Sequence, residues 1–187
     1  MPPDATSSNT CIETDTFRVE PARPEQSPVL LDLIIELATF EKLQDQVVAD
    51  AAGIQACLEQ DLIEAYLCYE GHQLAGYAIT YYSFSTFEGR RGLYLEDIYI
   101  RPAFRSKGYG KRFLSYLAQR ALDTGCPRFE WACLDWNTAA QQFYTSLGAV
   151  ARPEWITFRT EGDALRRLAQ PTHSDIASGP SPRHTQP

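Results

Sequence analysis

Leu30, Leu33, Ile34 and Leu37 recur at helical spacing, which predicts a helix capped by Ser27, entered through Pro28, and ending near Phe40 and Glu41. A second helix is expected over residues 50–60. Apolar and β-branched runs predict strands at 17–19, 65–69 and 74–83, the last two joined by the turn Glu70-Gly71-His72. After the turn signal Phe87-Glu88-Gly89 comes a longer strand, 93–100. From Gly108 the positions Phe113, Leu114, Leu117, Ala118, Ala121 and Leu122 form one continuous helical stripe, stopped by Gly125 and Pro127. A strand at 129–134 follows, then a helix capped by Asn137, running through Ser146 and closed by Gly148, and a last strand at 155–160. Hairpin strands followed by strand-helix-strand-helix-strand imply an α+β fold built on a mixed sheet.

Composition narrows the class. The 187 residues, 44% of them hydrophobic, suit one domain with a true core, expected over residues 16–170. Residues 1–15 are rich in Ser, Thr, Pro and Asp, and 171–187 hold four prolines among polar residues; both are expected to be disordered extensions. No signal core and no long apolar run is present, so a soluble, cytoplasmic protein without membrane attachment is expected. Cys11, Cys57, Cys68, Cys126 and Cys133 contain no C-x-x-C pair, and His72, His173 and His184 are scattered. This pattern suggests neither a disulfide framework nor a metal site. The net charge of −7 argues against a nucleic-acid partner. Its distribution is uneven: residues 101–112 carry five basic side chains and no acid, whereas Glu36, Glu41, Asp45, Asp50, Glu59, Asp61, Glu64 and Glu70 are opposed only by Lys42. An anionic ligand at one site and a cationic one at another would suit this.

The basic stretch contains Arg105-Ser106-Lys107-Gly108-Tyr109-Gly110, placed between a strand and a helix. Glycines there let backbone approach a ligand, and the helix behind offers unpaired N–H groups at its positive end, a cradle for pyrophosphate. The P-loop pattern fails because Arg112 follows Gly110-Lys111 and Arg105 stands at the first glycine. The dinucleotide fingerprint fails because Phe113 occupies its third glycine position.

What remains, R-x-x-G-x-G, resembles the acetyl-coenzyme A loop of the GNAT superfamily of N-acetyltransferases. Asp135-Trp136-Asn137 and Phe143-Tyr144-x-x-Leu147-Gly148-Ala149 follow at that superfamily's spacing. Leu93-Tyr94-Leu95-Glu96-Asp97, Trp136-Asn137 and Phe143-Tyr144 look most like its spermidine/spermine (diamine) branch. The resemblance covers residues 17–158. It implies the GNAT acyl-coenzyme A N-acyltransferase fold, a mixed, mostly antiparallel sheet flanked by helices, with acetyl-coenzyme A as acetyl donor and a homodimer as the assembly. It also implies that Ile98, Tyr99 and Ile100 meet the pantetheine arm, that Arg105, Ser106, Lys107, Gly108, Tyr109, Gly110 and Lys111 receive the pyrophosphate, and that Asn137 and Tyr144 contact the cofactor. Phe40, Glu41, Glu96, Glu130, Trp131 and Ala132 match acceptor-lining positions. Two departures stand out: Ser106 replaces a usual glycine, and Phe40 lacks the hydroxyl of the usual tyrosine.

Each residue also has a plainer explanation. Glu96 and Asp97 interrupt an apolar strand whose successive residues face opposite sides, so at least one carboxylate should turn inward. Burial would make Glu96 a better acceptor for an ammonium proton, but both acids could instead pair with Arg90 or Arg91. Tyr144, one turn after Ala140, could protonate a departing thiolate, as the matching tyrosine does in the family, or simply pack. Asn137 could serve only as a helix cap. Cys133 is expected to be a buried, inert thiol in a strand. The combined expectation is direct transfer of acetyl to a primary amine of a small cationic acceptor, a polyamine or lysine-like amino acid. A protein lysine or N-terminal acetyltransferase and a non-catalytic acyl-coenzyme A sensor are the alternatives.

Overall fold

The computed structural model describes residues 17–170; the extensions expected at 1–15 and 171–187 lie outside the described residues. The chain divides into two units between Phe143 and Tyr144. The first carries the sheet. Its strands β1 (Phe17–Pro21), β2 (Glu64–Glu70), β3 (Gln73–Ser85), β4 (Arg90–Ile100) and β5 (Phe129–Trp131) lie in the order β1-β2-β3-β4-β5. Neighbours are antiparallel except β4 and β5, which are parallel. That last pair needs a crossover, supplied by the helix between them.

Helix α1 (Ser27–Glu41) and helix α2 (Ala51–Glu59) cover one face of the sheet. Leu30 and Leu33 of α1 are wholly buried and pack with Ile54 of α2 against Ala65, Leu67, Tyr77, Ile79 and Tyr99. Truncating either leucine to alanine would cost about 2–5 kcal/mol. Helix α3 (Tyr109–Asp123) takes the opposite face with Phe113, Leu114, Leu117 and Ala121, and Tyr116 meets Tyr66 of β2 edge-on at 5.5 Å. The stripe expected from the sequence is therefore the buried one, except at Ala118, which is half-buried, and Leu122, which is exposed.

Two ion pairs fasten the helices to the sheet. Arg101, just after β4, donates to Glu36 of α1 at 2.6 Å and to the Leu74 carbonyl at 3.2 Å. Arg120 of α3 donates to Glu64 of β2 at 2.6 and 3.0 Å, while Tyr82 adds a hydrogen bond at 2.9 Å. Burial alone would raise the Glu64 carboxyl, but these donors and Tyr66 outweigh it and hold Glu64 below the usual range. At Gly76, opposite Ile100, an added Cβ would lie 2.0 Å from the Tyr99 carbonyl oxygen. Only glycine lets β3 approach the end of β4 this closely.

Several boundaries differ from the sequence expectation. The N-cap of α1 is Gln26, because a short 3-10 turn over Pro24–Gln26 leads straight into the helix and buries Ser27. Strand β5 ends at Trp131, since β4 pairs with it only over Leu93, Tyr94 and Leu95. Helix α4 (Thr138–Ser146) begins after Asn137 as expected, and the unit boundary falls within it.

In the second unit the Tyr144 carbonyl accepts hydrogen bonds from the amides of Leu147 and Ala149, and Gly148 takes φ 90°, closing α4. The strand expected at 155–160 is not formed: Trp155, Ile156 and Phe158 are exposed, and no strand partner is present among the described residues. Apolar alternation there has no pairing edge to satisfy its backbone. Helix α5 (Gly162–Leu168), not anticipated from sequence, follows.

Candidate active site

The register of β3 against β4 shifts at one place. Ile79 faces Asp97 and Thr80 faces Leu95, so Glu96 is an extra residue in β4, a bulge. At the same point β5 ends, leaving β4 from Glu96 to Ile100 without a strand partner on that side among the described residues. Backbone groups of Ile98 and Tyr99, and the amide of Ile100, thereby lie on a strand with no strand partner on that side among the described residues.

The bulge also decides which carboxylate turns inward. Glu96 is exposed and Asp97 is half-buried, which corrects the expectation that burial acts on Glu96. The hydroxyl of Tyr77, itself wholly buried, donates to Asp97 at 3.0 Å. Burial pushes the Asp97 carboxyl above its usual range; the Tyr77 hydrogen bond opposes the shift, and the nearby Glu96 charge adds to it. Glu41, the last residue of α1, is raised too, by burial and then by the Asp97 charge. Asp97 was quoted in the sequence only as Glu96's neighbour, and a buried tyrosine two strand-positions from the bulge is not a signal that spacing provides.

The acceptor-lining candidates separate into two groups. Glu41 lies near enough to Asp97 to feel its charge and also adds to the upward shift that burial gives the Cys133 thiol, while Phe40 precedes Glu41 at the end of α1. Cys133 itself is exposed in the connection after β5, not inside a strand, because β5 has already ended. Glu130 instead pairs with Arg128 at 2.8 Å, and it shares with Glu96 an influence on the Tyr81 and Tyr94 phenols. Trp131 is half-buried and meets the Phe129 ring at a tilt, and Ala132 is exposed. The acidic run from Glu36 to Glu70 is likewise not one surface: Glu36, Glu64 and Glu70 are in ion pairs, and Asp50 caps α2 through the Gly53 amide at 2.7 Å.

The glycine loop follows a 3-10 turn over Pro102–Phe104. Ser106 at φ 62° and Gly108 at φ 78° both adopt the left-handed region, so the chain folds back on itself before entering α3, whose first turn holds no acid. Ser106 stands where glycine would carry no steric cost. An added Cβ at Gly108 would meet nothing within 4 Å, which shows that the space over the loop is open. The fit to an anion is good: a helix N-terminus, open space and basic side chains. The charge is partly committed, however. Lys107 pairs with both Glu70 oxygens at 2.9 and 2.8 Å, and the Tyr109 hydroxyl donates to the same carboxylate. Arg105 donates to the Ile100 carbonyl at 2.8 Å, tying the loop to the open edge of β4.

Asn137 does cap its helix, its side-chain oxygen accepting from the Ala140 amide at 3.2 Å. Phe143 approaches Gly110, whose added Cβ would touch its ring at 3.5 Å. Tyr144 occupies the last turn of α4 in the second unit.

Comparison with known proteins identifies the family. The acetyltransferase (GNAT) family matches residues 31–149. The chain is 40% identical over 153 residues to the thialysine N-epsilon-acetyltransferase of Bos taurus, which spans 75% of this chain and 89% of the bovine protein. It is 29% identical over 168 residues to a human spermidine/spermine N(1)-acetyltransferase-like protein, covering 83% of this chain and 24% of that one. Among solved structures, an integron cassette protein from the mobile metagenome of V. cholerae superposes with a TM-score of 0.71 at 23% identity, over 84% of this chain and 100% of that one; this likeness concerns the fold. The chain belongs to the GNAT acetyltransferase family and is an acetyl-coenzyme A-dependent N-acetyltransferase.

Proposed function

We propose that this GNAT enzyme acetylates the side-chain amine of a small lysine-like amino acid, with direct transfer from acetyl-coenzyme A. The observation that carries the reading is the inward pair Glu41 and Asp97, backed by Tyr77, at the bulge where β4 leaves β5. Two carboxyls whose proton affinity burial raises, that of Glu41 further through the Asp97 charge, are suited to bind an ammonium and take its proton. Asp97, lying on the strand whose open edge follows at once, is assigned the proton acceptor; Glu41 orients the amine, and Phe40 forms an apolar wall for its methylene stem. Glu96, exposed beside the outer group of Glu130, Tyr81 and Tyr94, attracts the cation at longer range.

The thioester supplies an activated carbonyl. Loss of the ammonium proton to Asp97 frees the nitrogen lone pair; the C–N bond forms, the tetrahedral adduct sheds its second nitrogen proton to solvent, the C–S bond breaks, and the thiolate leaves. By resemblance Tyr144 returns a proton to that sulfur. Amides of residues 98–100 on the open edge suit the developing oxyanion, and residues 105–111 suit the pyrophosphate. Support for an amino-acid acceptor over a polyamine comes from the thialysine enzyme at 40% identity against 29% for the spermidine/spermine-like protein.

The test is coenzyme A release with lysine, thialysine and ornithine beside cadaverine, putrescine, spermidine, spermine and a lysine peptide. Highest kcat/KM on thialysine or lysine is expected. Preference for spermidine would return the enzyme to the polyamine branch, and turnover on the peptide alone would overturn a small-molecule acceptor.

A further inference from the structure

One side chain of the cofactor loop does not point at the loop's own open space. The guanidinium of Arg105 lies 4.6 Å from the centre of the Phe40 ring and 5.5 Å from that of Tyr99, with its Nε held by the Ile100 carbonyl at 2.8 Å. Phe40 also meets Trp136 at a tilt, ring centres 6.3 Å apart. Phe40 is the penultimate residue of α1, 42% exposed, and it borders Glu41. The ring assigned to the acceptor wall is thus in contact with a residue of the proposed cofactor loop, and that residue is anchored at two further points, Tyr99 and the Ile100 carbonyl.

We infer that the Phe40–Arg105 contact couples the two substrate sites, so that ordering of the loop by acetyl-coenzyme A also sets the acceptor wall. The inference rests on the reading of residues 105–111 as the cofactor loop. A cation over an aromatic face is an electrostatic contact, strongest when the ring is held face-on, and Arg105 has no other route to the ring than the loop's own conformation. Any ligand that orders Arg105 stabilises the ring's position, and reciprocally any ligand that packs on Phe40 stabilises the loop.

The experiment measures acetyl-coenzyme A affinity by calorimetry, without acceptor, in wild type, Phe40→Leu, Phe40→Tyr, Arg105→Gln and the double variant Phe40→Leu/Arg105→Gln. Phe40→Leu keeps apolar bulk at an exposed helix end, so folding is unaffected. Its acetyl-coenzyme A affinity should fall about two- to fivefold, the range for a half-exposed cation–π contact. Phe40→Tyr should restore it, and in the Arg105→Gln background Phe40→Leu should cost nothing further. Equal affinity of wild type and Phe40→Leu, or additive losses in the double variant, would overturn the coupling while leaving the proposed reaction standing. Failure of the wild type to bind acetyl-coenzyme A would overturn both.

Discussion

Asp97→Asn should separate stability from catalysis in opposite directions. The substitution keeps shape, and its amide oxygen can still accept from the Tyr77 hydroxyl, 3.0 Å from the present carboxylate. What it removes is a charge that the fold tolerates poorly: burial first, then the Glu96 charge, lift the Asp97 carboxyl above its usual range. A carboxyl raised in the folded state stabilises the protein fully when protonated, below the unfolded value, and that stability is lost as pH rises through the folded pKa. The neutral variant does not suffer this loss. Desolvating a carboxylate costs several kcal/mol, of which the Tyr77 hydrogen bond returns about 1.5–3 kcal/mol. For a half-buried group still screened by solvent, the net penalty is about 1 kcal/mol. Asp97→Asn should therefore melt about 2–4 °C above wild type at alkaline pH, and the difference should vanish near about pH 3, where both side chains are neutral. Its kcat/KM should fall by about 100-fold or more, the range for loss of a general base, whereas Glu96→Gln should lose much less. Scanning calorimetry across pH and steady-state kinetics on the preferred amine measure the two halves. A variant less stable than wild type at alkaline pH would refute the burial argument, and kcat/KM within about threefold of wild type would refute the assignment of Asp97.

Other outcomes follow from the loop and from α4. Gly108→Asp should lose acetyl-coenzyme A affinity by calorimetry because it places an anion where the pyrophosphate is expected; the side chain enters open space, and the φ of 78° costs it only about 1–2 kcal/mol, so circular dichroism should still show a folded chain; retained affinity would move that site elsewhere. Ser106→Gly should raise stability by about 1 kcal/mol in urea titration, since Ser106 holds φ 62°, with turnover kept; a loss of stability would contradict the left-handed backbone. Tyr144→Phe should lower kcat far more than acetyl-coenzyme A affinity, and unchanged turnover would remove Tyr144 from the reaction.

Local pattern settled much of this protein. Helical spacing at Leu30, Leu33 and Leu37 and the stripe from Phe113 to Ala121 already specified α1 and α3, and the turn at Glu70-Gly71-His72 specified the β2–β3 hairpin. These are nearest-neighbour properties, in which burial periodicity and turn chemistry act over a few residues. The same locality made the glycine loop legible, since its chemistry resides in a contiguous stretch of backbone. Non-local pairing decided the rest. Whether Glu96 or Asp97 turns inward depends on a register shift against Ile79 and Thr80, and alternation within β4 alone leaves both choices open. The end of β5 at Trp131 depends on where its pairing with β4 stops, so Cys133 is exposed although its neighbours look strand-like. Net charge could be counted from the sequence, but its availability could not. Glu36, Glu64 and Glu70 are spent on arginines and a lysine up to 65 residues away, and Arg105 turns from the loop to Phe40. A sequence lists charges and rings, and only the folded chain, by bringing distant segments within a few ångströms, determines which remain free to meet a substrate.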